Sequence, residues 1–169
     1  NMNNTATTTN DGNFDITHGG TFTVANSDPT GDDVVVDGAF TDHGAGSTVL
    51  NGTIGVSGSS FTFNNVVTLA ANLTLNSAGV DIIFNNTVNG LFDLILTAST
   101  GNVVFNFAVT IANLIINSAN NVDINSTISA ASITQTAGTG TTTISGDISS
   151  AGTVDMTSAA ITFDGALTD

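Results

Sequence analysis

Residues Phe63–Gly90 read FNNVVTLAANLTLNSAGVDIIFNNTVNG, and the opening Phe63-Asn64-Asn65 returns 21 residues later as Phe84-Asn85-Asn86. In each copy a valine, Val67 or Val88, follows the Phe by four positions. This short repeat constrains the fold more than any other feature of the chain. A unit of about 20 residues cannot bury an apolar face by itself, so successive units must stack on one another.

The same phrase can be followed along most of the 169 residues. Taking its apolar first residue as an anchor, with an apolar partner four residues later, places anchors at Val36, Phe63, Phe84, Phe105, Ile124, Ile144 and Phe163, with a degenerate one at Ile16. Successive anchors lie 20, 27, 21, 21, 19, 20 and 19 residues apart. The wide gap predicts an insertion within residues 37–62, and residues 1–35 are the least regular. The position two before each anchor is usually apolar as well, as in Phe61, Ile82, Val103 and Val122. Period two is the signature of a strand. A second alternating run follows, at Leu73 and Leu75, Leu94 and Leu96, and Leu114 and Ile116. Turn formers such as Asn76-Ser77-Ala78-Gly79 close the unit.

Two or three short strands per unit, each paired in parallel with its counterpart about 4.8 Å away, make a parallel β-helix. The expectation is therefore an all-β chain: one continuous β-solenoid over residues 1–169, with 19–21 residues per turn and roughly eight turns. Phe63, Phe84, Phe105, Ile124, Ile144 and Phe163 would form one interior file. A β-sandwich also has short strands at regular spacing. It would not demand the same Asn column at a fixed period. Asn64, Asn85, Asn106 and Asn125 all stand one residue after an anchor. Neutral amides can bridge from turn to turn, whereas carboxylates in the same column would repel. These four are read as a structural ladder.

Composition narrows the function. The chain has no Lys or Arg, and its 14 acidic residues give a formal net charge of −14. This lacks the basic footprint needed for nucleic acid or anionic lipid. Cations, Ca²⁺ above all, are the charged partners that remain. With no cysteine the chain needs no disulfide. A chain without Lys or Arg gives trypsin no cleavage site, which suits exposure outside a cell. The polar opening NMNNTATTTNDG does not read as a signal peptide, so a mature product or a piece of a longer array is expected. The longest apolar runs, Leu91–Leu96 and Ala108–Ile116, are interrupted by Asp93, Thr110 and Asn113 and are too short to span a membrane as helices.

Phrases such as VDGAFTD, STVLNGTI, FNNVVTLAANLTL and FNNTVNG resemble the repeats of giant bacterial surface proteins, the filamentous-haemagglutinin-like and β-strand-repeat families. The resemblance spans most of Val34–Asp169 and is periodic and compositional. It implies a right-handed parallel β-helix in a secreted or surface-anchored fibrous protein, serving as adhesin, stalk or matrix. The absence of Lys and Arg departs from many such relatives.

Few residues suggest chemistry. Asp28, Asp32, Asp33, Asp37 and Asp42 cluster in SDPTGDDVVVDGAFTD and are weak Ca²⁺ candidates, without EF-hand or nonapeptide-repeat spacing. Gly31-Asp32-Asp33 and His18-Gly19-Gly20 resemble motifs of β-helix hydrolases that cleave polygalacturonate. Those enzymes hold an anionic substrate with Arg and Lys, which this chain lacks. His18 and His43 read as separate surface histidines. The outward residues before the anchors, Asp15, Val35, Thr62, Ile83, Val104, Asp123, Thr143 and Thr162, make no continuous Thr face for ice. Ile83 and Val104 point away from the core and suggest a neighbouring chain. No catalytic residue and no cofactor is assigned, and the chain is read as non-enzymatic. The expected role is structural: an extracellular or cell-surface bacterial fibre or adhesin-type stalk. Copies of itself or adjoining repeats would stack through open β-helix edges. The alternative is a carbohydrate- or Ca²⁺-dependent binding module contacting surface glycans.

Overall fold

The computed structural model describes residues 2–4, 8–10, 12–26 and 34–168. Among them there is no helix, and all strands fall into two sheets, of 15 and eight strands. Every pairing between these strands is parallel and joins one turn to the next. The fold is a β-solenoid. Its turns have three walls, because Asn, Asp and Gly interrupt the β-branched runs about three times per turn and bend the chain.

The first wall is the eight-stranded sheet. It stacks Phe14–His18, Phe40–Gly44, Phe61–Phe63, Ile82–Phe84, Val103–Phe105, Val122–Ile124, Thr141–Ile144 and Ala160–Phe163 in chain order. The larger sheet is bent and supplies the other two walls. Val88–Asn89, Val109–Thr110, Ile128–Ala130 and Ile148–Ser150 lie on the second. Leu94–Thr97, Asn113–Ser118, Ser132–Gln135 and Val154–Met156 lie on the third. The long strands Ser47–Val56 and Val66–Ser77 run through both walls, with a register shift between Leu50 and Gly52 where the sheet turns the corner. Gly52 takes a φ of 84° there, in the left-handed region that a side chain disfavours.

Side chains alternate in and out, so each inward position becomes a file along the axis. Phe63, Phe84, Phe105, Ile124, Ile144 and Phe163 are paired rung to rung in one file. Phe63 and Phe84 stack with centroids 5.2 Å apart and planes 9° apart, and Phe84 and Phe105 at 5.2 Å and 3°. Val67, Val88, Val109, Ile128 and Ile148 line the second wall. Leu73, Leu94, Leu114 and Ile133 line the third. All of these except Phe163 are buried. Each buried Phe, Leu or Ile contributes about 1.5–3 kcal/mol over exposure.

Two sequence expectations are corrected. Val36 is not an anchor of the first wall: it pairs with Val56 on the third, and Asp42 is the residue beneath Phe63. The outward residue of that turn is accordingly Thr41, not Val35. No insertion lies within residues 37–62, because Phe40 stands beside Phe61 in the 21-residue register, while Phe14 stands beside Phe40, 26 positions on. The extra length therefore precedes Phe40. The turn count differs only slightly from the expectation: the unbroken turns from Phe40 to Met156 number about six, against roughly eight. The outermost anchors, Ile16 and Phe163, belong to turns that the described residues do not complete.

Phe84→Ala should cost about 3–5 kcal/mol in urea unfolding, since stacked rings on both sides prevent collapse of the cavity. Phe163→Ala, at a position 42% exposed, should cost clearly less in the same measurement.

Candidate functional site: corner ladders and a buried polar cluster

Each of the three corners carries its own column of side-chain hydrogen bonds. Between the first and second walls, Asn85 Nδ2 donates to Asn64 Oδ1 at 2.8 Å, Asn106 to Asn85 at 2.7 Å, and Asn125 to Asn106 at 2.9 Å. Between the third and first, Asn102 donates to Asp81 Oδ1 from its backbone N and its Nδ2, at 2.7 and 2.9 Å. Asn121 does the same to Asn102 Oδ1, at 3.1 and 2.9 Å, and the Thr141 N–H donates to Asn121 Oδ1 at 2.8 Å. Between the second and third, Asn72 Oδ1 accepts from the Asp93 N–H at 3.1 Å. Asp93 Oδ1 then accepts from Asn113 Nδ2, and Asn113 Oδ1 from the Ser132 hydroxyl, each at 2.7 Å.

The ladders have a direction: in each rung the later turn donates and the earlier accepts. An amide can do both and sits anywhere in a column. A carboxylate only accepts. Asp81 accordingly stands at the accepting end of its column, and Asp93 uses its backbone N–H, not its side chain, as the donor to Asn72. The sequence reading caught one ladder and missed two. The missed residues recur too: Asp81, Asn102 and Asn121 each lie three before an anchor, and Asn72, Asp93, Asn113 and Ser132 lie eight or nine after one.

The lower turns break the apolar files with polar groups that satisfy each other. Asp42 is fully buried in the file of Phe63, and Thr48 is fully buried in the file of Val67. Asp42 accepts hydrogen bonds from the Thr48 hydroxyl, from Asn65 Nδ2 at 3.1 Å and from His18 Nε2 at 2.8 Å. The opposite ring nitrogen, His18 Nδ1, lies 3.0 Å from the Gly20 carbonyl. On the outer surface of the same two strands His43 Nε2 meets Asp15 Oδ1 at 2.5 Å and the Thr17 hydroxyl at 3.0 Å. The two histidines are thus not isolated surface residues. Both tie the Phe14–His18 strand to Phe40–Gly44, and in a chain without Lys or Arg they are the only side chains able to carry positive charge.

This geometry braces the fold and does not prime a nucleophile. The Thr48 hydroxyl donates to Asp42, not to the imidazole, and the second ring nitrogen is occupied by a backbone carbonyl. A smaller buried pair lies higher up, where Thr142 Oγ1 donates to Gln135 Oε1 at 2.8 Å. Of the Ca²⁺ candidates, Asp42 is withdrawn into the core and its oxygens are engaged by protein groups, which removes it from that role. Asp37 accepts from the Ser57 hydroxyl at 3.1 Å. Asp28, Asp32 and Asp33 lie outside the described residues. Among the described residues no three His or Asp side chains converge as metal ligands. Comparison with family models, with curated proteins and with solved structures finds no match.

Three outcomes follow from the bonding. Asn85→Asp removes the donor to Asn64 and should destabilise by about 1–2 kcal/mol in urea titration. Asn64→Asp, at the accepting end, should cost less. Removing one partner of a buried hydrogen-bonded cluster leaves the others unsatisfied, at about 1–3 kcal/mol for each buried group. Asp42→Ala should therefore abolish amide hydrogen-exchange protection across Phe14–His18 while leaving Val103–Phe105 protected.

Proposed function

We propose that this chain is a rigid rod segment of an extracellular or cell-surface bacterial fibre or adhesin-type stalk, lengthening by the stacking of turn upon turn. The observation that carries this reading is the parallel register, which carries the inward file from Phe63 to Phe163 without a change of pairing. Thr142, Ile144 and Ile148 are buried at 0–1% exposure, yet their partners one turn on, Ile161, Phe163 and Leu167, are 49%, 42% and 59% exposed. The inward files simply continue into solvent. Among the described residues Ala160–Phe163 and Leu167–Thr168 are edge strands, and an edge strand is a template for another strand. A further turn with the same period, from this chain or another, extends the inward files of Phe163 and Leu167.

The rest of the molecule suits a mechanical role. A rod whose corners are cross-linked by side-chain bonds from Asn64 to Thr141 resists shear between those turns. The acidic, Lys- and Arg-free composition favours solubility of a long apolar-cored array. The likeness of its phrases to the repeats of filamentous-haemagglutinin-like surface proteins supports the same role and the same location.

Electron microscopy and light scattering across a concentration series test it. The parent protein should form rods that lengthen with concentration, and Ile161→Asp/Leu167→Asp should hold them at one chain length. Equal lengths for parent and variant at all concentrations would refute stacking through this face.

A further inference from the structure

One of the two imidazoles of this Lys- and Arg-free chain is built into the core. His18 ends the Phe14–His18 strand with its side chain 15% exposed, against an Asp42 side chain at 0%. Both of its ring nitrogens face oxygen acceptors: Nε2 lies 2.8 Å from Asp42 Oδ1, and Nδ1 lies 3.0 Å from the Gly20 carbonyl oxygen. A neutral imidazole has one N–H and one lone pair, so it satisfies only one of the two. Only the doubly protonated ring donates to both. The ring is also confined in this pose. The Phe22 ring stands 5.9 Å away, and a Cβ on Gly46 would collide with both His18 Nδ1 and the Gly20 oxygen.

We infer that His18 and Asp42 form a pH-sensitive latch: the doubly protonated His18 clamps Phe14–His18 onto Phe40–Gly44, and loss of one ring proton as pH rises releases that strand. The Thr48 hydroxyl and Asn65 Nδ2 already donate to Asp42, so the carboxylate is the acceptor of the set and the ring is its donor. When the proton leaves, a lone pair of the ring faces either the Asp42 carboxylate or the Gly20 carbonyl. Asn65 Nδ2, 3.0 Å from Nε2 and 3.1 Å from Asp42 Oδ1, can serve the bare nitrogen only by giving up the carboxylate. No other described group replaces the lost charge. Asp15 and His43 are paired with each other on the outer surface of the same two strands, and Thr21–Asn26, Ser47–Val56 and Phe61–Phe63 carry no titratable side chain. The closed strand thus holds a proton that the released one gives up in alkali, and closure weakens as pH rises. Release uncovers Phe40, on which Phe14 stacks at 5.3 Å and 23°, and leaves Phe40–Gly44 as an edge open to another strand. The latch is independent of any fibre role.

Hydrogen-exchange protection factors, which are corrected for the intrinsic pH dependence of exchange, test the latch in the parent protein. Those of Phe14–His18 should fall at least about tenfold between about pH 5 and about pH 9, while those of Val103–Phe105 stay level. His18→Gln keeps a donor but cannot titrate, and should make the two segments respond alike to pH. His43→Gln, at the exposed outer pair, should retain most of the fall. Where His18→Gln leaves the strand unprotected at every pH, ring-nitrogen NMR of the parent decides. Both His18 nitrogens should carry protons while Phe14–His18 is protected, and one should be lost in step with protection. A level profile in the parent, a fall that persists in His18→Gln or vanishes in His43→Gln, or an unprotonated His18 nitrogen in the protected strand overturns the proposal.

Discussion

Everything in this molecule depends on parallel, in-register pairing between one turn and the next. Once a strand lies about 4.8 Å above its counterpart, like positions become like neighbours. That geometry rewards residues that bind copies of their own kind. Phe stacks on Phe, branched aliphatic side chains pack on each other, and an amide donates to the amide below. It punishes residues that do not, and carboxylates foremost. The described Asp residues of the ladders illustrate the rule, because Asp81 and Asp93 occupy places where only accepting side-chain oxygens are needed.

The lower turns show how the same geometry absorbs an exception. Asp42 and Thr48 replace the Phe and Val of the turn above, in adjacent files. Either alone would be a costly buried polar group. Together with His18 and Asn65 they form a closed set of hydrogen bonds at one corner. The replacement falls next to the 26-residue step that separates Phe14 from Phe40, where the regular period offers least guidance to pairing. A polar cluster with fixed partners specifies an alignment that slippery apolar files would leave open. The outer pair of Asp15 and His43 fixes the same two strands from the other side.

Charge and apolarity are divided along the axis as well as between core and surface. The turns with the most regular ladders are also those with the least free charge and the most outward apolar area. This is consistent physically: neutral amides can be stacked on one another, while a carboxylate enters a column only where its side chain need not donate, as Asp81 and Asp93 do. A chain with no cationic side chain except two histidines has little other means of neutralising a stacked acid.

The sequence by itself determined the period, the parallel stacking, the file from Phe63 to Phe163 and the Asn64–Asn125 ladder. Each of these is a local pattern repeated at a constant interval, and period two within a strand already states which side chains face inward. Tertiary structure alone decided what stands opposite what where the interval changes. Val36 and Asp42 are equally plausible strand residues six positions apart, and only the assembled walls put Val36 under Val56 and Asp42 under Phe63. It also decided the second and third ladders and the His18–Asp42 contact. A side chain's place around the axis depends on how many residues each corner consumes. That number is set by packing against the neighbouring turns and is not encoded in the alternation of polar and apolar residues along one strand.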